Sequence, residues 1–215
     1  LTLLKEELIY WLTQVVHLDF LEKHTEPGTV LRDIAFSGNG EPTATELFGA
    51  VIKIVIEQIY YFKVNNKISI RLITNGSYLD HPATKKAWMQ LENLNREIWF
   101  KIDTIDSFEA KRINQINIST RSVISNLESS IEIAPTVIQT CLLKINNELP
   151  SIKQINNYIN FLKPFENNLK AIHLYSLARP TEQKTTHTIQ RLSHDELELF
   201  ANKIKQLKVP VFSFI

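Results

Sequence analysis

At 215 residues, with 44% hydrophobic and 22% charged positions, the chain suits one compact domain over 1–215 with a sizeable core. A formal charge of +1 gives no bulk attraction to nucleic acid or to an anionic membrane surface. Its longest apolar stretches, such as the one around Val51 to Ile56, are broken by Lys53 and Glu57 and are too short to span a membrane.

The opening Leu1 to Tyr10 lacks the basic-then-apolar order of a secretion signal, so the expected location is the cytoplasm. The first residue is Leu rather than Met, which reads as a beginning that was cut or lost. Leu3, Leu4, Leu8, Trp11, Leu12 and Val15 recur at helical spacing and predict one amphipathic helix over about 2–22. A short strand, Asp33 to Phe36, runs into Ser37-Gly38-Asn39-Gly40-Glu41-Pro42-Thr43, and Thr43 with Glu46 reads as a capping box opening a helix to about Phe62. The next strand is Ile68 to Ile73, leaving through Thr74-Asn75-Gly76-Ser77; a helix over about 82–94 leads to a third strand, Ile98 to Asp103. Helical stretches near 106–113 and 119–133 precede a strand from Thr136 to Leu143. A helix near 151–163 then leads to the strand Ala171 to Ser176. Ser193 and Glu196 cap a last helix to about Lys208, and Val209 to Phe214 can form a final strand. The Asn-rich patches Asn114–Asn117 and Asn146–Asn147 read as loops.

Strands rich in Ile, Val and Phe that alternate with helices predict parallel pairing through crossover helices. Polar residues gather after five successive strands, at Ser37–Thr43, Thr74–Ser77, Lys101–Asp103, Gln139–Thr140 and Tyr175–Arg179. A flat doubly wound sheet concentrates its ligand contacts where strand order reverses, whereas a barrel gathers every C-terminal strand end around one mouth. Five decorated ends favour the barrel.

The richest chemistry follows the first strand. Two glycines, Gly38 and Gly40, let backbone approach a ligand, and Glu41, aimed by Pro42, can meet a cationic group there. A tight turn that simply needs glycine is an equal reading of the same residues. Phe36 to Thr43 resembles the Gly-Gly-Glu-Pro element of radical S-adenosylmethionine (SAM) enzymes, here with Gly-Asn-Gly before Glu-Pro. The resemblance continues in order through Leu72 to Ser77, Trp99 to Asp103, Thr136 to Thr140 and Leu174 to Pro180, covering roughly residues 27–208. It implies a partial (β/α)6 TIM-like barrel that lacks the first strand. By that resemblance Ser37, Gly38, Gly40, Glu41 and Pro42 hold the amino group of SAM. Lys101 and Asp103 face SAM or pair with each other. Asn75 contacts the nucleoside or satisfies its own turn. Gln139 and Tyr175 stand at the barrel mouth for substrate or ribose contacts or serve as core hydrogen bonders, and Arg179 clamps an anionic group or forms a surface salt bridge.

The departure from the family is as informative. Radical SAM enzymes hold a [4Fe-4S] cluster on Cys-x3-Cys-x2-Cys after the first strand, and the single Cys141 sits in an apolar strand as a small buried hydrophobe. The resemblance therefore implies SAM as cofactor, the cluster only in a complete parent protein, and a chain inactive by itself. A cluster-free barrel serving as a binding module is the competing reading, and a phosphate-binding barrel is weaker because its glycine-rich loops follow the last strands. His81, His187 and His194 have no second ligand at metal spacing, and Ser193 to Glu196 is a helix start rather than a catalytic triad. The substrate is not legible. If the first barrel strand is absent, the strand Ile34 to Phe36 becomes an open edge prone to self-association.

Overall fold

The computed structural model describes residues 1–38, 40–106, 110–111, 119–178 and 187–214. Asn39, Arg179, Pro180 and the Asn114–Asn117 patch lie outside the described residues, as does most of the helix expected near 106–113. Two compact units divide the chain, residues 1–98 and 99–215. The division falls inside one strand of a six-stranded sheet ordered β1-β2-β3-β4-β6-β8; β5 and β7 form a separate pair. The architecture is α/β with a mostly parallel sheet, consistent with a partial TIM-like barrel.

The first unit contains α1 (Thr2–His17), α2 (Phe20–His24), β1 (Asp33–Phe36), a 3-10 turn (Pro42–Ala44), α3 (Phe48–Tyr61), β2 (Ser69–Thr74), α4 (Pro82–Met89) and the start of β3 (Arg96–Lys101). Phe48, Ile52, Val55 and Ile59 fall three or four residues apart on α3 and are all buried, at about 1.5–3 kcal/mol per large apolar side chain. β1 pairs in parallel with β2, from Asp33 opposite Ser69 to Phe36 opposite Leu72. Three expectations change here. The predicted helix over 2–22 is broken, because Asp19 takes a left-handed conformation (φ 54°) that a short polar side chain tolerates. Its apolar stripe is mostly unburied, with Leu12 buried but Leu3 and Trp11 more than half exposed. No capping box forms at Thr43, whose hydroxyl instead donates to Glu41 Oε1 at 2.5 Å; α3 starts five residues later at Phe48. The predicted helix over 82–94 ends at Met89, and Leu91 and Leu94 are buried from the turns that follow.

The second unit carries the end of β3, α5 (Thr120–Ile133), β4 (Thr136–Cys141), β5 (Leu143–Ile145), α6 (Ile152–Leu162), a 3-10 turn (Lys163–Phe165), β6 (Leu169–Tyr175), β7 (Ile189–Arg191), α7 (His194–Ile204) and β8 (Val211–Phe214). β6 lies parallel to both β4 and β8, with Gln139 opposite His173, Cys141 opposite Tyr175 and Tyr175 opposite Phe214. The strand expected over Thr136–Leu143 ends early, because the chain turns off at Leu142 into the β5–β7 antiparallel pair. Asn146 and Asn147, both at positive φ, make the tight turn after β5, where Ile145 and Glu148 exchange backbone hydrogen bonds at 3.0 Å. Reciprocal capping boxes open α6 (Ser151 with Gln154) and α7 (Ser193 with Glu196), the second as the sequence predicts. Among the described residues, no helix is long and apolar enough to cross a membrane.

Candidate binding site

β1 ends at Phe36, and the chain passes through exposed Ser37, Gly38 and Gly40 to half-buried Glu41 and Pro42. A Cβ built on Gly38 or Gly40 would meet no atom within 4 Å, so space lies open over this turn for a ligand to approach the backbone. The Glu41 carboxylate caps the 3-10 turn and braces the neighbouring strand end. Its Oε1 accepts from Thr43 N (3.3 Å), Thr43 Oγ1 (2.5 Å) and Thr74 Oγ1 (2.6 Å), and its Oε2 accepts from Asn75 N (2.9 Å). Both threonines are buried. Asn75 spends its side-chain oxygen on Ser77 N at 2.9 Å, the Asx turn that was one of its two readings. The structure thus brings Ser37, Gly38, Gly40, Glu41, Pro42 and Asn75 into one cluster. The sequence reading missed a charge row on the same unit's strands: the Arg71 guanidinium meets Asp33 of β1 and, at 3.5 Å, Glu97 of β3.

In the second unit the polar residues stand where β3, β4 and β6 end. Lys101 Nζ lies 3.0 Å from Asp103 Oδ2, which realises the pairing alternative for these two residues. The Asp103 side chain is 5% exposed against 43% for Lys101, so the carboxylate is set inward and the ammonium reaches solvent. Asp103 Oδ1 also accepts from Cys141 N at 3.0 Å, tying the β3 exit to the last residue of β4. Behind it, Thr140 Oγ1 donates to Ile102 O (2.8 Å) and shares a hydrogen bond with the Tyr158 hydroxyl (2.7 Å).

Burial and the inward carboxylate set the protonation states here. The Cys141 thiol is pushed up to about 12, first by burial and then by Asp103, with Lys101 opposing. The Tyr158 and Tyr175 phenols rise as well, each through burial first and the negative charge of Asp103 after it. Burial alone would lower Lys101, but the charge and hydrogen bond of Asp103 outweigh it and hold the ammonium above its ordinary value.

Gln139 is half-buried beside His173 and carries its backbone carbonyl to Ile102 N at 3.0 Å. His173 itself sits among aromatic rings, 5.0 Å from Trp99, 5.7 Å from Phe212 and 5.0 Å from Phe214 by centroid. Arg179 lies outside the described residues. The donor set does not fit an iron–sulfur cluster: the sequence has one cysteine, and its thiol is held protonated.

No protein-family model and no curated protein matches this sequence. Solved structures do. A domain of pyruvate-formate lyase-activating enzyme from Bacteroides vulgatus superposes with a TM-score of 0.56 at 14% identity, over 86% of this chain and 99% of that one. A radical SAM methyltransferase from Sphaerobacter thermophilus gives a TM-score of 0.60 at 14% identity, over 94% of this chain and 56% of that one, so this chain spans little more than half its length. At such identities the likeness is one of fold alone: this chain shares the fold of these two solved structures.

Proposed function

We propose that this chain is the SAM-binding part of a radical SAM enzyme, working with a four-iron cluster held by residues outside these 215. The observation that carries the reading is the shared fold, whose parallel strands end in polar residues where parallel α/β folds place their ligands. In this reading the turn around Gly38, Gly40 and Glu41 in the first unit takes the SAM ammonium. Bound SAM supplies reductive cleavage chemistry when a reduced cluster is present; the residues of this chain orient it and exclude water.

Calorimetric titration of SAM tests this. Saturable binding is expected below about 1 mM, with a loss of tenfold or more in Glu41→Gln, while no heat up to that concentration would remove the reading. A cluster-free binding barrel is the second reading, favoured by the protonated, solitary Cys141. Self-association belongs to the proposal too, because β1 stands at one end of the strand order and an unpaired edge recruits another chain. Sedimentation should detect dimers that a proline at Ala35 abolishes, and a strictly monomeric chain would exclude this.

A further inference from the structure

The sheet of the second unit carries its helices on one face. Ile138, Ile172 and Leu174 are fully buried there, and Ser213 donates to Glu198 of α7. The alternate residues form the opposite face, in two rows fixed by the register. Gln139, His173 and Phe212 stand side by side on β4, β6 and β8, and Cys141, Tyr175 and Phe214 make the next row. Trp99 of β3 joins the first row, its ring 5.0 Å from that of His173. Phe212 and Phe214 each meet the His173 ring edge-on, yet they remain 50% and 51% exposed on the last strand of the sheet. Two neighbouring aromatic rings left half open to water form an apolar patch of the kind that marks a binding surface.

A charge at one side of this patch selects what covers it. Lys101 lies two residues beyond Trp99 on β3 and is the one charged side chain that the described strands of this unit place on that face. Its ammonium has three N–H donors, of which Asp103 Oδ2 meets one at 3.0 Å. The Lys101 side chain is 43% exposed and that of Asp103 only 5%, so the positive end of the pair points outward. Burial works against the charge of Lys101, but the charge and hydrogen bond of Asp103 outweigh it and keep the ammonium protonated. An anionic group gains at such a position and a cationic one is repelled. Aromatic rings in turn favour an aromatic guest, stacked with an offset or edge-on, over an aliphatic one of equal area. From β3 to β8 is three strand spacings, roughly 14 Å, which suits a fused ring system on a short acidic chain.

We infer that this face binds an aromatic carboxylate, with its rings over Phe212, Phe214 and His173 and its carboxylate on the Lys101 ammonium. The site is built wholly on the second unit, and it does not depend on the SAM-binding turn proposed for the first.

Titration of 3-(2-naphthyl)propanoate against the whole chain, read on the indole N–H of Trp99 and the ring C–H resonances of His173, tests the assignment. The acid should shift both residues saturably. The matching naphthyl alcohol and 3-cyclohexylpropanoate should each bind about tenfold more weakly, one for lack of charge and the other for lack of rings. Phe212→Ala/Phe214→Ala, which changes two half-exposed side chains, should lose at least about tenfold in affinity for the acid. Lys101→Gln should reduce the acid to the affinity of the alcohol, and Lys101→Arg should keep most of it. If a variant melts differently from the parent, the ratio of acid to alcohol affinity on the parent decides alone. Silent resonances, an alcohol that binds as well as the acid, or full affinity in the phenylalanine double variant would each overturn the inference. Loss of self-association in that double variant, with acid binding unchanged, would make the face a protein interface instead. Displacement of the acid by SAM would assign the face to SAM, overturning this inference while leaving SAM binding intact. Acid binding without any SAM binding would remove the SAM reading alone.

Discussion

Glu41 braces two strand exits and, in the proposed reading, the SAM-binding turn as well. Its carboxylate is an acceptor only, and four hydrogen bonds converge on it, two from the hydroxyls of buried Thr43 and Thr74 and two from the backbone N–H groups of Thr43 and Asn75. From the sequence alone a carboxylate in a turn promises little stability, but here it staples the β1 exit to the β2 exit. Glu41→Gln forces one amide NH2 to face a donor, so we expect the first unit to lose about 1–3 kcal/mol. SAM affinity should fall about tenfold or more in the same variant, through the displaced glycine backbone. Calorimetric melting and SAM titration measure the two separately; a variant as stable as the parent would show that the staple is not used. Cys141 offers a second check at this scale. A rise from 9.0 to about 12 lowers its thiolate fraction near neutral pH roughly a thousandfold. Iodoacetamide should therefore alkylate it about a thousandfold more slowly than a small free thiol. Because the folded value is the higher one, its contribution to stability is complete below pH 9 and is lost as pH rises toward 12. Cys141→Ala should flatten that alkaline loss, and an unchanged slope would point to another group.

Elements announced by local hydrogen bonding were legible in the sequence; elements decided by distant partners were not. Ser193 with Glu196 forms the capping box its spacing indicates, and Ser151 with Gln154 forms another at the start of α6. Thr43 with Glu46 has the same spelling and forms none, because Thr43 lies inside the 3-10 turn that Glu41 caps and α3 starts only at Phe48. The motif cannot report where the helix begins. The β5–β7 pair was equally hidden: β5 continues the apolar run of β4 without a break, and its partner lies more than forty residues away. The candidate site divides in the same way. Gly38, Gly40 and Glu41 announce themselves by being adjacent to a strand end, and Lys101 with Asp103 by parity. Thr140 and Tyr158 meet at 2.7 Å only through the packing of α6 against β4. Ser151→Ala and Ser193→Ala should each cost about 1 kcal/mol, read as a fall in the denaturation midpoint. Thr43→Ala should additionally disturb Glu41, and Glu46→Ala should do nothing measurable. A loss at Glu46 equal to that at Ser193 would restore the capping box that the structure lacks.

At the scale of the whole molecule, the proposed chemistry and this sequence come apart over a count of sulfur atoms. The proposed radical SAM reading calls for a four-iron cluster, which needs three thiolates from protein, and this sequence holds one cysteine. That cysteine is poorly suited even as a single ligand: it is half-buried, its backbone N–H is held by Asp103, and its thiol keeps its proton to about pH 12. A metal would have to displace a proton that burial, and then Asp103, hold on the thiol up to about pH 12. Anaerobic reconstitution of the 215-residue chain with iron and sulfide should therefore leave it without a cluster, with iron near background after desalting and no thiolate-to-iron charge-transfer band. SAM binding, which in the proposed reading needs no thiolate of this chain, should persist in that same preparation. Cys141→Ala is the internal control, since adventitious iron retained by the parent should be retained equally by the variant. About four irons per chain, lost in Cys141→Ala, would mean that chains share thiolates across an assembly, and the lone cysteine would then be a ligand rather than a buried apolar group.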